Sequence, residues 1–75
     1  VKEVLEIIAK ALVDHPEEVS VSEVEGEQSM ILELRVAESD MGKVIGKQGR
    51  IAKAIRTVVK AAASREDKRV VVEIL

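Results

Sequence analysis

The chain has no cysteine, no phenylalanine, tyrosine or tryptophan, and only one histidine and one proline among its 75 residues. Without cysteine there are no disulfides and no thiolate metal sites. A single histidine then leaves no ligand set for structural zinc, so no metal and no cofactor is expected. The missing aromatics exclude every nucleic-acid module that holds bases by stacking on aromatic rings. No apolar run approaches the ~20 residues of a bilayer span, and charged residues make up 35 % of the chain. No secretory or transit-peptide pattern opens the chain, and Val1 in place of Met is expected of a trimmed or processed start. These features imply a cytoplasmic protein. The length suits one small domain, residues 1–75, and excludes dinucleotide-binding folds, barrel enzymes and two-domain clamps. Apolar residues, at 47 %, are enough for a core.

The charges are unevenly placed. Residues 1–40 carry 11 acids and 3 bases. Residues 41–65 carry Lys43, Lys47, Arg50, Lys53, Arg56, Lys60 and Arg65 and no acid at all. Such segregation, inside a chain of net charge −2, is the electrostatic footprint of a polyanion site.

Hydrophobic periodicity outlines the elements. Val1, Val4, Leu5, Ile8 and Leu12 share one face of a helix over residues 1–13, which Asp14, His15 and Pro16 stop. Val19 and Val21 alternate with Ser20 and Ser22 as a half-buried strand. Glu25-Gly26-Glu27 reads as a turn candidate in which Gly26 is able to take positive φ. Met30, Leu32, Leu34 and Val36 form the second strand of a hairpin. Ser39 or Asp40 caps a short helix over residues 41–45, and a longer helix starts near residues 48–50 and runs to about residue 64. A polar loop over residues 65–68 leads to a last strand containing Val70, Val72 and Ile74. The order is α-β-β-α-α-β, an α+β arrangement whose three-stranded sheet carries helices on one face. Two helices between the second and third strands permit their parallel pairing through a crossover.

The chemistry sits at Gly46-Lys47-Gln48-Gly49, between the two later helices. Paired glycines let one helix end and the next begin with almost no spacer. They also leave a ligand's backbone free to approach. The next helix directs its free N–H groups and positive dipole end into the gap, where Lys47 and Arg50 add full charges. A nucleic-acid phosphate suits that place. Enzymatic readings fail. Gly42-x-x-x-Gly46-Lys47-Gln48 has three residues between its glycines where a P-loop has four, and lacks Ser or Thr after Lys. Adjacent Glu17 and Glu18 are no acid–base pair, and His15 reads as a helix-end cation.

Residues 41–56, Met-Gly-Lys-Val-Ile-Gly-Lys-Gln-Gly-Arg-Ile-Ala-Lys-Ala-Ile-Arg, resemble the KH domain, whose GxxG loop clamps about four nucleotides of a single strand. The element order matches the type II, prokaryotic form. The whole chain is similar to the small bacterial single-domain KhpA (YlqC) family. The resemblance implies an RNA-binding, chaperone-like protein that pairs with itself or with KhpB (also called Jag or EloR). It also implies a role in cell elongation, cell shape and peptidoglycan homeostasis. Gly46, Lys47, Gln48 and Gly49 would be the phosphate clamp. Val44 and Ile45 would line the apolar floor of the nucleotide groove, and Ile51 and Ile55 would support it. Lys43, Arg50 and Lys53 would add contacts, with Lys60 a further candidate. Residues 69–72 would form the facing wall.

A helical wheel places Ile51, Ile55, Val58 and Ala62 on the core face of the long helix and Arg50, Lys53, Arg56 and Lys60 on a basic face. Ala52, Val59 and Ala63 fall between them. They read first as a wide core stripe, and otherwise as a small-residue seam on which a second copy packs. Two function classes follow: an RNA-binding module, or a KH-fold dimerisation scaffold whose RNA binding is incidental.

Overall fold

The computed structural model describes residues 1–64 and 68–75. The proposed polar loop therefore lies, apart from Lys68, outside the described residues, as does Arg65 of the basic window. Helix α1 spans Lys2–Leu12, strand β1 Ser20–Glu25, strand β2 Ser29–Arg35, helix α2 Met41–Ile45, helix α3 Arg50–Ala62 and strand β3 Arg69–Ile74. Short 3-10 turns occupy Pro16–Glu18, Glu38–Asp40 and Lys47–Gly49.

The three strands form one mixed sheet in the order β1-β2-β3. β1 and β2 are antiparallel, with Val21 opposite Leu34 and Val24 opposite Ile31. β2 and β3 are parallel, with Leu32 opposite Val72. Alternation sends Met30, Leu32 and Leu34, with Val70 and Val72, to one face, where they are buried under the helices. Leu5 and Ala9 of α1, Val44 of α2, and Ile55 and Val59 of α3 complete that core. The two helices between β2 and β3 allow the parallel pairing, as the element order implies.

Three expectations change. Gly26 does not take positive φ; among glycines only Gly46 and Gly49 do. The hairpin closes instead with the Gly26 N–H donating to the Ser29 carbonyl at 2.7 Å. Asp40 stands at the N-terminus of α2 but makes no side-chain cap there. Its buried carboxylate reaches across the chain and accepts the backbone N–H groups of Asp14 at 3.2 Å and His15 at 2.9 Å. It thereby ties the turn after α1 to the start of α2. Burial pushes its pKa up. The two N–H donors, with His15 and Lys43 nearby, outweigh that and hold it below the ordinary carboxylate value.

The third change concerns α3. Ala52, Ile55, Val59 and Ala63 face the core, whereas Val58 is 48 % exposed and Ala62 lies at the surface. Ala52, Val59 and Ala63 are at most 6 % exposed and fill the chain's own interior. The core-stripe reading of these residues holds, and they offer no seam to a second copy. The cause is geometric. Apolar residues flank Ile55 on both sides of the helix, so the wheel alone does not choose which flank meets the sheet.

Candidate nucleic-acid interface

The turn between α2 and α3 is built on backbone conformations that few residues adopt. Gly46 has φ 75° and ψ 174°, a region essentially reserved for glycine. A Cβ there would lie 2.5 Å from Cγ1 of Ile51, so Ile51 fills the space a side chain would need. Gly49 is left-handed at φ 73° and ψ 14°, with open space around it. Gln48, at φ 58° and ψ 25°, is the only non-glycine residue with positive φ among the described residues. The Gly46 N–H closes α2 on the Gly42 carbonyl at 2.8 Å, and the Gly49 N–H bonds the Gly46 carbonyl at 3.2 Å. The glycines therefore do what their sequence positions imply: helix meets helix across four residues.

Helix α3 starts at Gly49 with no side-chain cap and no acid in its first turn. Its first N–H groups and positive dipole end point out of the turn unneutralised. Lys47 and Gln48 are exposed, and Lys47 makes no ion pair among the described residues. Arg50 Nη2 donates to Gln48 Oε1 at 3.2 Å, a bond that uses the Gln48 amide oxygen and not its N–H donors. The chemistry of this surface is a cluster of donors and positive charge without an acid, suited to phosphate oxygens.

The other candidate residues divide. Ile45 is 38 % exposed and offers apolar surface beside the turn, and Lys53 is exposed on α3. Val44 is fully buried, so it supports α2 from below and touches no ligand. Lys43 is turned toward α1. Its ammonium pairs with Asp14 and lies 3.6 Å from Asp40 Oδ1, and the Asp14 hydrogen bond raises its pKa against a smaller effect of burial. That ammonium is engaged within the protein instead of standing free beside the clamp. Ile51 packs beneath Gly46, and Ile55 is buried in the core.

Sequence reasoning misses one residue. Arg56 donates from Nε to the Val72 carbonyl at 3.2 Å, spanning α3 to β3. The N–H groups of Arg69 and Leu75 bond β2, so the odd residues of β3 face β2, and Val72 turns its backbone groups to the free edge. Arg56 therefore caps that edge through its Nε. Its place on the basic face is visible in sequence, but its carbonyl partner, 16 residues away, is not. Farther along, Lys60, Lys68, Arg69 and Val70 line one shallow recess, so the basic surface continues from the turn to the start of β3. Lys68 is shared there with Glu25 of β1, to which it is paired.

The opposite flank of α3 differs. Ile51, Ala54, Ile55 and Val58 face Ile8 and Leu12 of α1 across an open groove that is almost wholly apolar, with Arg50 at its rim. Among the described residues His15, Glu17 and Glu18 bring three possible metal ligands together, all exposed. No helix among the described residues is long and apolar enough to cross a membrane.

Comparison with known proteins agrees with this geometry. The family model described as the KhpA/KhpB KH domain matches residues 2–74. A Clostridium acetobutylicum protein named RNA-binding protein KhpA is 77 % identical over 74 residues, 99 % of either chain. Proteins of the same name from Clostridium perfringens and Aquifex aeolicus are 74 % and 53 % identical, the alignment covering 99 % of this chain in each case and 99 % and 94 % of the relative. Among solved structures, Era in complex with MgGDPNP and nucleotides 1506–1542 of 16S ribosomal RNA has a similar fold, with TM-score 0.59 and 23 % identity. That match covers 96 % of this chain and 28 % of Era. A coverage this complete, at the identity of the KhpA relatives, leaves one assignment: the chain belongs to the KhpA/KhpB KH-domain family, a family of non-enzymatic KH proteins.

Proposed function

We propose that this protein is a type II KH module that captures single-stranded RNA without chemistry on it. The Gly46–Gly49 turn holds a phosphate, and the strand runs along the groove between α3 and β3. The observation that carries this reading is the turn itself. Three of its four residues hold positive φ, one of them a glutamine, at the uncapped start of α3. Backbone strain of this kind persists where function requires the geometry. Gly46, Lys47, Gln48, Gly49 and Arg50 make the clamp. Lys53 and Arg56 continue it, and Ile45 supplies apolar floor. Lys43 and Val44 act from behind. The names of the KhpA relatives support RNA as the ligand. The same kinship supports a cytoplasmic RNA chaperone working with KhpB in cell elongation and peptidoglycan homeostasis.

The apolar groove between α1 and α3 supports a second, compatible reading, in which the fold also serves as a pairing scaffold. With Ala52, Val59 and Ala63 buried, the surface for a homodimer, or for a heterodimer with KhpB, is the face of Ile8, Leu12, Ala54 and Val58.

Replacing Lys47 and Gln48 together by Asp tests the first reading. Both side chains are exposed, so stability should change by less than about 1 kcal/mol. Losing a charge-assisted hydrogen bond of about 1.5–3 kcal/mol should weaken RNA binding at least about tenfold in fluorescence anisotropy. Unchanged binding would leave the scaffold reading standing alone.

A further inference from the structure

Helix α2 is too short to hold its own place. Of its five residues only Val44 is buried, with Met41 packed at the edge of the core. A helix of that length forms only where its surroundings fix it. Yet α2 sets one side of the Gly46–Gly49 turn, because its closing bond, from the Gly46 N–H to the Gly42 carbonyl, ends where the turn begins. The other side has no such difficulty, since α3 is held in the core by Ala52, Ile55 and Val59.

Asp40 supplies the missing anchor. It immediately precedes α2 and is 1 % exposed. An acid in that place ordinarily caps the helix it starts. Here both carboxylate oxygens turn to the chain after α1 instead: Oδ1 accepts the Asp14 N–H at 3.2 Å and Oδ2 the His15 N–H at 2.9 Å. Lys43, in the first turn of α2, closes the bracket by pairing with Asp14 while lying 3.6 Å from Asp40 Oδ1. Apolar packing would fill the same space, but directed bonds also fix orientation. Five residues of helix span about 7.5 Å, so α2 carries any shift at this bracket to the turn as one rigid piece. We propose that Asp40 is a positioning residue for RNA binding. It touches no RNA; its bonds to the main chain of Asp14 and His15 set the placement of α2 and, through α2, the shape of the Gly46–Gly49 turn. This rests on the reading of that turn as an RNA clamp.

The test turns on sign. Asp40→Asn removes a negative charge near a polyanion site, so electrostatics alone would tighten RNA binding. Loss of positioning weakens it instead, by about fivefold for a fluorescein-labelled, mixed-sequence RNA single strand in anisotropy, measured where circular dichroism shows the variant folded. The amide NMR signals of Gly46, Lys47, Gln48 and Gly49 should move, while those of Arg69 and Leu75, bonded to β2 and its turn, stay in place. Asp14→Asn, at an exposed side chain, removes only the Lys43 arm and should weaken binding about twofold, again against the direction of charge. It decides the matter if Asp40→Asn does not fold. A merely structural Asp40 would lower the urea midpoint but leave the folded variant's RNA affinity unchanged or tighter and the turn signals in place, which overturns the proposal. The Lys47→Asp/Gln48→Asp protein is measured alongside. If it loses affinity while Asp40→Asn binds as wild type does, the clamp stands and the positioning role falls. If the double variant also binds normally, the clamp reading itself falls.

Discussion

Gly46→Ala and Gly49→Ala look alike in sequence but should differ sharply in cost. At Gly49 the backbone is left-handed with room for a methyl group, so alanine incurs only the left-handed penalty of about 1–2 kcal/mol. At Gly46 the backbone region is nearly closed to other residues, which costs about 1–3 kcal/mol. The new Cβ would also stand 2.5 Å from Cγ1 and 2.8 Å from both Cβ and Cδ1 of Ile51. Overpacking of that kind adds about 1–3 kcal/mol. Together these give roughly 4 kcal/mol, a large share of the ~5 kcal/mol at the lower end for single domains. Urea unfolding followed by circular dichroism, in sulfate buffer to keep the variants folded, reads both costs. Combining Gly46→Ala with Ile51→Ala removes Cγ1 and Cδ1, so the steric part should shrink and the backbone part remain. The cycle should show a coupling of about 1–2 kcal/mol. Equal costs at the two glycines, or no coupling to Ile51, would refute the account of this turn.

Three other outcomes follow from the same structure. Val58→Glu, on the apolar α1–α3 groove, should shift any self-association toward monomer in sedimentation with stability changed by less than about 0.5 kcal/mol, whereas Ala52→Arg, at a buried position, should destabilise the fold by about 3 kcal/mol or more. The Asp40 carboxylate has a lowered pKa in the folded state, so the stability it contributes is present above its unfolded value of about 3.9 and is lost as pH falls through the lower folded value; Asp40→Asn should therefore flatten the acid limb of a stability–pH profile, and an unchanged limb would contradict the lowered pKa. RNA affinity should fall with salt at a log–log slope of about −1.5 to −3, for two to four single-strand phosphates at ~0.7 each, and a flat response would remove the basic surface from the site.

Much of this is legible along the chain because the signals are local. Alternation in β2 and β3 and the glycine pair at Gly46 and Gly49 each depend on neighbours a few residues apart, and each element forms within a few residues of its expected bounds. What escapes depends on partners far away. Asp40 reads as a helix cap from its own surroundings, yet it accepts the N–H groups of Asp14 and His15, 26 and 25 residues upstream. Lys43 reads as one more base in an acid-free window, yet Asp14 claims it. Arg56 gains its role only once β3 returns beside α3.

The phase of α3 shows the same limit with a functional consequence. Both flanks of Ile55 are apolar, so either could face the sheet, and the helical wheel alone does not choose between them. The sheet takes Ala52, Val59 and Ala63, which moves the free apolar surface to Ala54 and Val58, toward α1. That shift puts the proposed pairing face and the proposed RNA groove on opposite flanks of one helix. The two surfaces then meet only at the start of α3, where Arg50 both lines the apolar groove and bonds Gln48 of the clamp. On that proposal, a partner lying along α1 and α3 would leave Lys53, Arg56 and the edge of β3 uncovered, so pairing and RNA binding would be compatible. The two proposed readings thus concern two faces of one molecule, with Arg50 the residue they share.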